Sequence, residues 1–336
     1  MNISPRYRNF LLCLLLCCMS FLCLPAAGAE YLPSVKKTII DSVSFPGLRY
    51  ADDGRDSMSF SIPFSRIGNL IVIKAKADST EGNFVLDTGC PGLVLNRTYF
   101  RNYPTSTEHG AETQGITGTA AVVTEQTVVR NFGFGSMQEH NVKANMANLG
   151  SIENSKGVKV LGLIGVQFLD NCELIIDYDE NLLYFHVIGR KEIKTYRHVM
   201  LSDTASYHTI PFEMTDSRII IRTSIAGKKL RFIIDCAAET NILDSRLPDK
   251  IFDNFSVTGK VNLVGVGNKK VEAVKGNLAS FTIGNRIITD MPVLITNLEK
   301  TCFSYGGCVD GILGLDNLAV QKIGFNFATN KMYIWK

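Results

Sequence analysis

The chain repeats itself at a near-constant spacing, and this restricts its fold more than any other feature. Ile62-Pro63-Phe64 returns as Ile210-Pro211-Phe212, and Ile71-Val72-Ile73 as Ile219-Ile220-Ile221. Phe84-Val85-Leu86-Asp87 returns as Phe232-Ile233-Ile234-Asp235, and Val94-Leu95-Asn96 as Ile242-Leu243-Asp244, at the same offset. The register then drifts slightly. Gly115 aligns with Gly265, Asn148-Leu149 with Asn297-Leu298, Leu161-Gly162-Leu163 with Leu313-Gly314-Leu315, and Ile176-Asp177-Tyr178 with Phe325-Asn326-Phe327. Two copies are too few for a solenoid, whose units are stable only in longer stacks.

Each copy reads as β. Short runs of branched and aromatic residues, at 70–75, 84–86, 121–129, 174–176 and 182–187, are separated by turn residues such as Asp78-Ser79-Thr80 and Asp179-Glu180-Asn181. The second copy keeps the scheme, with turns at Ala226-Gly227 and Thr329-Asn330. Helix-length periodicity is nearly absent; at most a turn or two is expected near 166–169 and 316–319. The chain therefore divides into a leader (1–29), an N-terminal lead-in (30–57), a first lobe (58–189), a basic and Ser/Thr-containing linker (190–206) and a second lobe (207–336).

The leader has the pattern of a secretory signal: Arg6 and Arg8, then an apolar run from Phe10 to Leu24, then Ala27-Gly28-Ala29 before a cut ahead of Glu30. That run is short for a membrane span, so the mature protein is expected to be exported, periplasmic or secreted, with no membrane span. The formal net charge is +3, of which Arg6 and Arg8 supply two. The remainder is no electrostatic footprint for a nucleic-acid partner. Four of the nine cysteines fall in the leader. Of the rest, Cys302 and Cys308 are placed to bridge a tight hairpin in an oxidising compartment, while the pairing of Cys90, Cys172 and Cys236 stays open. No spacing of His and Cys suits a metal, and no cofactor is expected.

The chemistry is expected at Asp87-Thr88-Gly89. This tripeptide follows an apolar strand, so the carboxylate would be held at a strand end. Thr88 offers a hydroxyl to a partner loop, and Gly89 lets the backbone approach that loop closely. Asp-Thr-Gly alone occurs in many surface turns. Its weight comes from the repeat, which puts Asp235 in the same slot. Two adjoining carboxylates cannot both ionise cheaply, so one keeps a proton. The ionised member can take a proton from a water attacking a carbonyl that the protonated member polarises.

These residues resemble the retropepsin and pepsin group of aspartic peptidases, nearest to bacterial exported retropepsin-like proteins. The matching elements are Val85-Leu86-Asp87-Thr88-Gly89, Val94-Leu95, the Gly115 to Gly118 stretch, Val160-Leu161-Gly162 and Ile175-Ile176-Asp177-Tyr178. In the second half they are Ile233-Ile234-Asp235, Gly265-Val266-Gly267 and Ile312-Leu313-Gly314. The resemblance covers about residues 58–336 and implies an all-β, two-lobed acid-protease fold of two retropepsin-like halves. It also implies an aspartic endopeptidase with catalytic Asp87 and Asp235, a peptide or protein substrate and a monomeric state. Thr88, Gly89, Cys236 and Ala237 would support the loops, and Gly115, Gly118, Gly265 and Gly267 would lie in flaps.

The second half departs from the pattern, with Cys236-Ala237 where the family has a hydroxyl residue and Gly. A thiol is a weak donor, so the bonding between the loops is expected to be made from one side only, or differently. Positions 90 and 238, Cys and Ala, lack the hydroxyl that the pepsin branch carries after its Asp-Thr-Gly, so the shared proton should be held to higher pH. Two other readings stay open: a peptide-binding pseudoprotease, and a homodimer pairing two first-lobe aspartates.

Overall fold

Alternation of apolar and polar residues, broken by residues that tolerate left-handed backbone, makes nearly every element a strand. The hairpin turns sit where φ is positive, at Asp78, Asn181, Ala226-Gly227 and Asn330. The computed structural model describes residues 58–106, 125–264, 270–299, 308–315, 318 and 321–336. The leader, the lead-in, Cys302 and the flap candidates Gly115, Gly118, Gly265 and Gly267 lie outside the described residues. No helix among the described residues is long and apolar enough to cross a membrane.

The first lobe contains β2 (Ser65–Ile67), β3 (Leu70–Ala77), β4 (Thr80–Leu86), β5 (Leu93–Asn96), β6 (Gln126–Phe134), β7 (Met137–Ala147) and β8 (Gly162–Ile164). The second contains β12 (Arg218–Ile225), β13 (Lys228–Ile234), β14 (Asn241–Asp244), β15 (Phe255–Val264), β16 (Lys270–Ile283), β17 (Arg286–Thr296) and β18 (Gly311–Leu313). The strand order β3-β4-β8-β5-β7-β6 is matched by β12-β13-β18-β14-β17-β16, and the extra pairings β3–β6 and β12–β16 also correspond. Phe84 and Phe232 fill equivalent core positions, each fully buried. On the other face of each lobe, Val72, Val85, Val94, Leu149 and Leu163 form a cluster that Ile220, Ile233, Ile242, Leu298 and Ile312 reproduce. Burying such side chains contributes about 1.5–3 kcal/mol each, so the repeat of sequence is a repeat of the stabilising core.

Between the lobes runs a shared antiparallel layer, β1 (Met58–Pro63), β10 (Leu182–Val187), β9 (Cys172–Asp177), β19 (Lys322–Asn326), β20 (Lys331–Trp335) and β11 (Tyr207–Thr215), in that order. At its centre Leu174 faces Phe325, Ile175 faces Gly324 and Ile176 faces Ile323. Ile176 and Phe325 are equivalent by repeat, as are Leu174 and Ile323, so the register maps onto itself when the lobes exchange. A two-fold relation follows, with its axis beside Ile175 and Gly324. One face of the layer is apolar and belongs to the main core, with Phe60, Leu174, Ile176, Leu183, Phe185, Ile323, Phe325 and Met332. The opposite face carries polar residues and is covered by the segment that joins β10 to β11.

The repeat register needs one correction. Phe84, Val85 and Leu86 pair in parallel with Gly162, Leu163 and Ile164, whereas Phe232, Ile233 and Ile234 pair with Gly311, Ile312 and Leu313. The counterpart of Ile312-Leu313-Gly314 is therefore Leu163-Ile164-Gly165, not Val160-Leu161-Gly162. Each copy has two glycines three residues apart, and the repeat read from residue identity alone matches the first of one copy to the second of the other. The structure separates their tasks: a Cβ at Gly162 or Gly311 would strike Phe84 or Phe232, and one at Gly165 or Gly314 would strike the Asp-loop carbonyl of Cys90 or Ala238.

Candidate active site

The strands β4 and β13 end in the two aspartate loops, and each loop is fixed by the strand threaded behind it. The Asp87 N–H donates to the Ile164 carbonyl at 2.9 Å, and the Asp235 N–H to the Leu313 carbonyl at 3.0 Å. Inside each loop the turn closes alike, Cys90 N–H to Asp87 O and Ala238 N–H to Asp235 O, both at 3.2 Å. The N–H of Gly89 donates to Asp87 Oδ1 at 2.9 Å, and that of Ala237 to Asp235 Oδ1 at 2.8 Å. Each carboxylate is thus oriented by its own loop before any partner acts on it.

The loops lock together at Thr88 and Cys236, which are 148 residues apart. Thr88 Oγ1 donates to the Ile234 carbonyl at 3.1 Å and accepts from the Cys236 N–H at 2.9 Å. Cys236 Sγ does the reciprocal work, donating to the Leu86 carbonyl at 3.1 Å and accepting from the Thr88 N–H at 3.3 Å. The interlock is made from both sides, so of the two expectations, one-sided bonding or a different arrangement, the one-sided form is the one excluded. Sulfur is larger and softer than oxygen, yet it reaches both backbone groups because Thr88 and Cys236 are wholly enclosed.

Gly89 is needed for close approach and not for its backbone angle, since neither Gly89 nor Ala237 has positive φ. A Cβ on Gly89 would come within 2.5 Å of Asp235 Oδ2 and 2.6 Å of its Cγ. Ala237 carries such a methyl group in the other loop and packs it against the first-lobe cluster that holds Cys90. The loss of Gly at 237 therefore brings no backbone strain.

The carboxyl groups of Asp87 and Asp235 adjoin, with the Asp235 carboxyl lying against Gly89 of the first loop and each group acting on the other's titration. Both are half-buried, packed around by the two cores but still reached by solvent. Burial pushes the Asp87 carboxyl well above the usual carboxylate range, and the neighbouring Asp235 charge pushes it further. Burial also raises Asp235, against loop N–H groups of Ala237 and Ala238 that favour its ionised form. Both carboxyls are pushed above the usual range, so the two titrate as a pair that shares a proton. Burial pushes the Cys90 thiol up to about 12, and its Sγ donates to Gly92 O at 3.2 Å, so it gives the carboxylates no hydrogen bond. Cys236 is likewise held un-ionised by burial. Cys308 is disulfide-bonded, while its expected partner Cys302 lies outside the described residues. Cys90, Cys172 and Cys236 are free and buried. No cluster of metal-ligating side chains occurs among the described residues.

One cross-lobe contact was missed from sequence. Lys156, on the short helix α1 (Gly150–Lys156), pairs with Glu239 just past the second aspartate loop. Asn69 Nδ2 also donates to the Glu239 carbonyl at 3.2 Å. Neither residue stands in a motif, and the α1 stretch has no apolar face, so local pattern carried no signal for either.

The aspartyl protease family model matches residues 73–168 and again 221–317. The chain belongs to that family, as a retropepsin-like aspartic peptidase relative with an internal duplication. The retrovirus-related Pol polyprotein from transposon 412 of Drosophila melanogaster is 28% identical over 110 residues, which is 32% of this chain and 8% of the polyprotein. Among solved structures, the Basic 7S globulin from soybean aligns over 83% of this chain and 95% of its own, at 9% identity and a TM-score of 0.45. The aspartic proteinase from Irpex lacteus aligns over 83% and 97%, at 12% identity and a TM-score of 0.44. A retropepsin-like aspartic protease from Rickettsia conorii aligns over 40% of this chain and 94% of its own, at 16% identity and a TM-score of 0.27.

Proposed function

We propose that this protein is an aspartic endopeptidase that hydrolyses peptide bonds with one chain's own pair of aspartates. The observation that carries the reading is the interlock, with bonds from both loops, that sets the Asp235 carboxyl against Gly89 beside Asp87. The ionised member of the pair takes a proton from a water as the water's oxygen attacks the scissile carbonyl carbon. The protonated member donates to the carbonyl oxygen and stabilises the charge that forms there. Collapse of the tetrahedral species then passes a proton to the departing amine and frees two peptide ends.

Because both carboxylates come from one chain, the homodimer that would pair two first-lobe aspartates is unnecessary. The binding-only reading drew its force from Cys236-Ala237, and Cys236 supplies the bonds that a hydroxyl would. Export to a periplasm or the outside, through the 1–29 leader, is part of the proposal. The test is cleavage of an internally quenched peptide library, sampled from acid to neutral pH. Turnover that disappears in both Asp87→Asn and Asp235→Asn is the expected result. Peptide binding without turnover at any pH would overturn it in favour of a peptide-binding protein.

A further inference from the structure

The polar face of the interlobe layer holds a cavity, remote in sequence from the aspartate loops. It has a volume of about 520 Å³ and lies between β9, β19, β20 and the segment joining β10 to β11. This is within the range of small-ligand sites. Glu173 contributes to its lining and is only 2% exposed. Cross-strand register puts Glu173 in a row with His186 on one side and Asn326 and Lys331 on the other. Asn326 Nδ2 donates to Glu173 Oε2 at 2.8 Å. Oε1 makes no hydrogen bond of good geometry among the described residues, although the His198 backbone N–H and the Arg197 charge act on this carboxylate against the burial that raises its pKa. A buried carboxylate oxygen left in this state costs free energy, and folded proteins seldom leave one so.

The rest of the lining has the opposite sign. Lys194, Arg197 and Lys331 are exposed and cationic, and Tyr196 and Tyr333 add aromatic surface. The segment carrying Tyr196 is pinned over the layer: Tyr196 stacks on His186 with centroids 3.5 Å apart, and His186 is held between Ser59 at 2.6 Å and Glu192 at 3.1 Å. One buried acceptor below and three cations above make an amphoteric lining.

We propose that this cavity binds a small zwitterion, a short peptide or free amino acid with both termini ionised. Its ammonium would satisfy Glu173 Oε1, and its carboxylate would face Lys194, Arg197 and Lys331. The site does not depend on the peptidase reading, because no residue of the aspartate loops lines it.

The chain's single tryptophan provides a local reporter. Trp335 packs on Tyr207 at 5.5 Å, and Tyr207 on the cavity residue Tyr333 at 5.4 Å. Full-length protein is titrated with the dipeptide Ala-Ala, and with N-acetyl-Ala-Ala, which lacks the ammonium, while tryptophan emission is followed. Saturable binding of Ala-Ala is expected, with Kd raised about tenfold by acetylation and by Glu173→Gln, as loss of one charge-assisted hydrogen bond requires. Peptide cleavage by the variant should be unchanged. If Glu173→Gln fails to fold, as judged by circular dichroism, the exposed-rim variant Lys331→Ala should weaken Ala-Ala binding in its place. No emission change with Ala-Ala, equal affinity for the acetylated peptide, or affinity indifferent to the folded variants would each overturn the proposal.

Discussion

The two aspartate loops share their backbone hydrogen bonds and differ in their side chains. The first is Asp87-Thr88-Gly89-Cys90 and the second Asp235-Cys236-Ala237-Ala238. In both, the aspartate N–H reaches the strand behind, and the N–H two residues on caps the carboxylate. The difference is concentrated in how the loops meet. The first supplies a hydroxyl and a bare backbone; the second supplies a thiol and a methyl group. What must be kept is the bonding capacity and the clearance beside the carboxylates, and different residues can provide them on the two sides of an approximate two-fold axis.

The sharpest break of this equivalence is removal of either carboxylate. Asp87→Asn and Asp235→Asn should each lower kcat by about 10²–10⁴-fold, the contribution of one general acid or base, with little change in peptide affinity. A large loss from only one of them would mean that the second loop is a relic of duplication.

The next test exchanges the clearance residues. Gly89→Ala drives a methyl group into the Asp235 carboxyl and should cost about 100-fold in rate through misplacement of the reacting groups. Ala237→Gly should leave the rate near the parent's and lower stability by about 0.4–1 kcal/mol, because glycine frees the unfolded chain. Equal effects of the two changes, read from initial rates and urea unfolding, would show the loops to be sterically equivalent after all.

The interlock can be weighed in the same way. Thr88→Val strips the partner from the Cys236 N–H and the Ile234 carbonyl, both enclosed, and should cost about 1–3 kcal/mol. Cys236→Ser keeps a donor and an acceptor and should stay within about 1 kcal/mol of the parent in denaturant unfolding. A loss in the serine variant as large as in the valine variant would mean that sulfur's volume, and not its hydrogen bonding, holds the second loop.

The smallest effect concerns pH. Both aspartates have folded pKa values above their ordinary ones. Their protonated forms therefore favour the folded state, a contribution that is complete below the ordinary carboxylate range and lost as pH rises through the folded values. Asp87→Asn removes the shared charge problem. Its melting temperature should match the parent's at acidic pH and exceed it near neutrality, by the equivalent of about 1 kcal/mol. A constant difference across the pH range would contradict the shared-proton description.

The sequence by itself determined the two-lobed β architecture and the aspartate slots. Repeated apolar triplets before Asp87 and Asp235 are a local pattern, and a strand ending in a carboxylate needs no distant information to be read. It left the register after Asn148 unsettled, because Gly162-Leu163-Ile164-Gly165 and Gly311-Ile312-Leu313-Gly314 each match themselves after a slip of three residues. Only the parallel pairing behind Phe84 and Phe232 decides which glycine lies under the aromatic ring and which under the aspartate loop. The sufficiency of Cys236 was likewise invisible, since a thiol's worth depends on whether two backbone groups lie within its reach. The meeting of Lys156 with Glu239, and of Glu173 with the segment after β10, depends on contacts between stretches far apart in the chain. No residue pattern records such contacts until the strands have paired and the lobes have closed on one another.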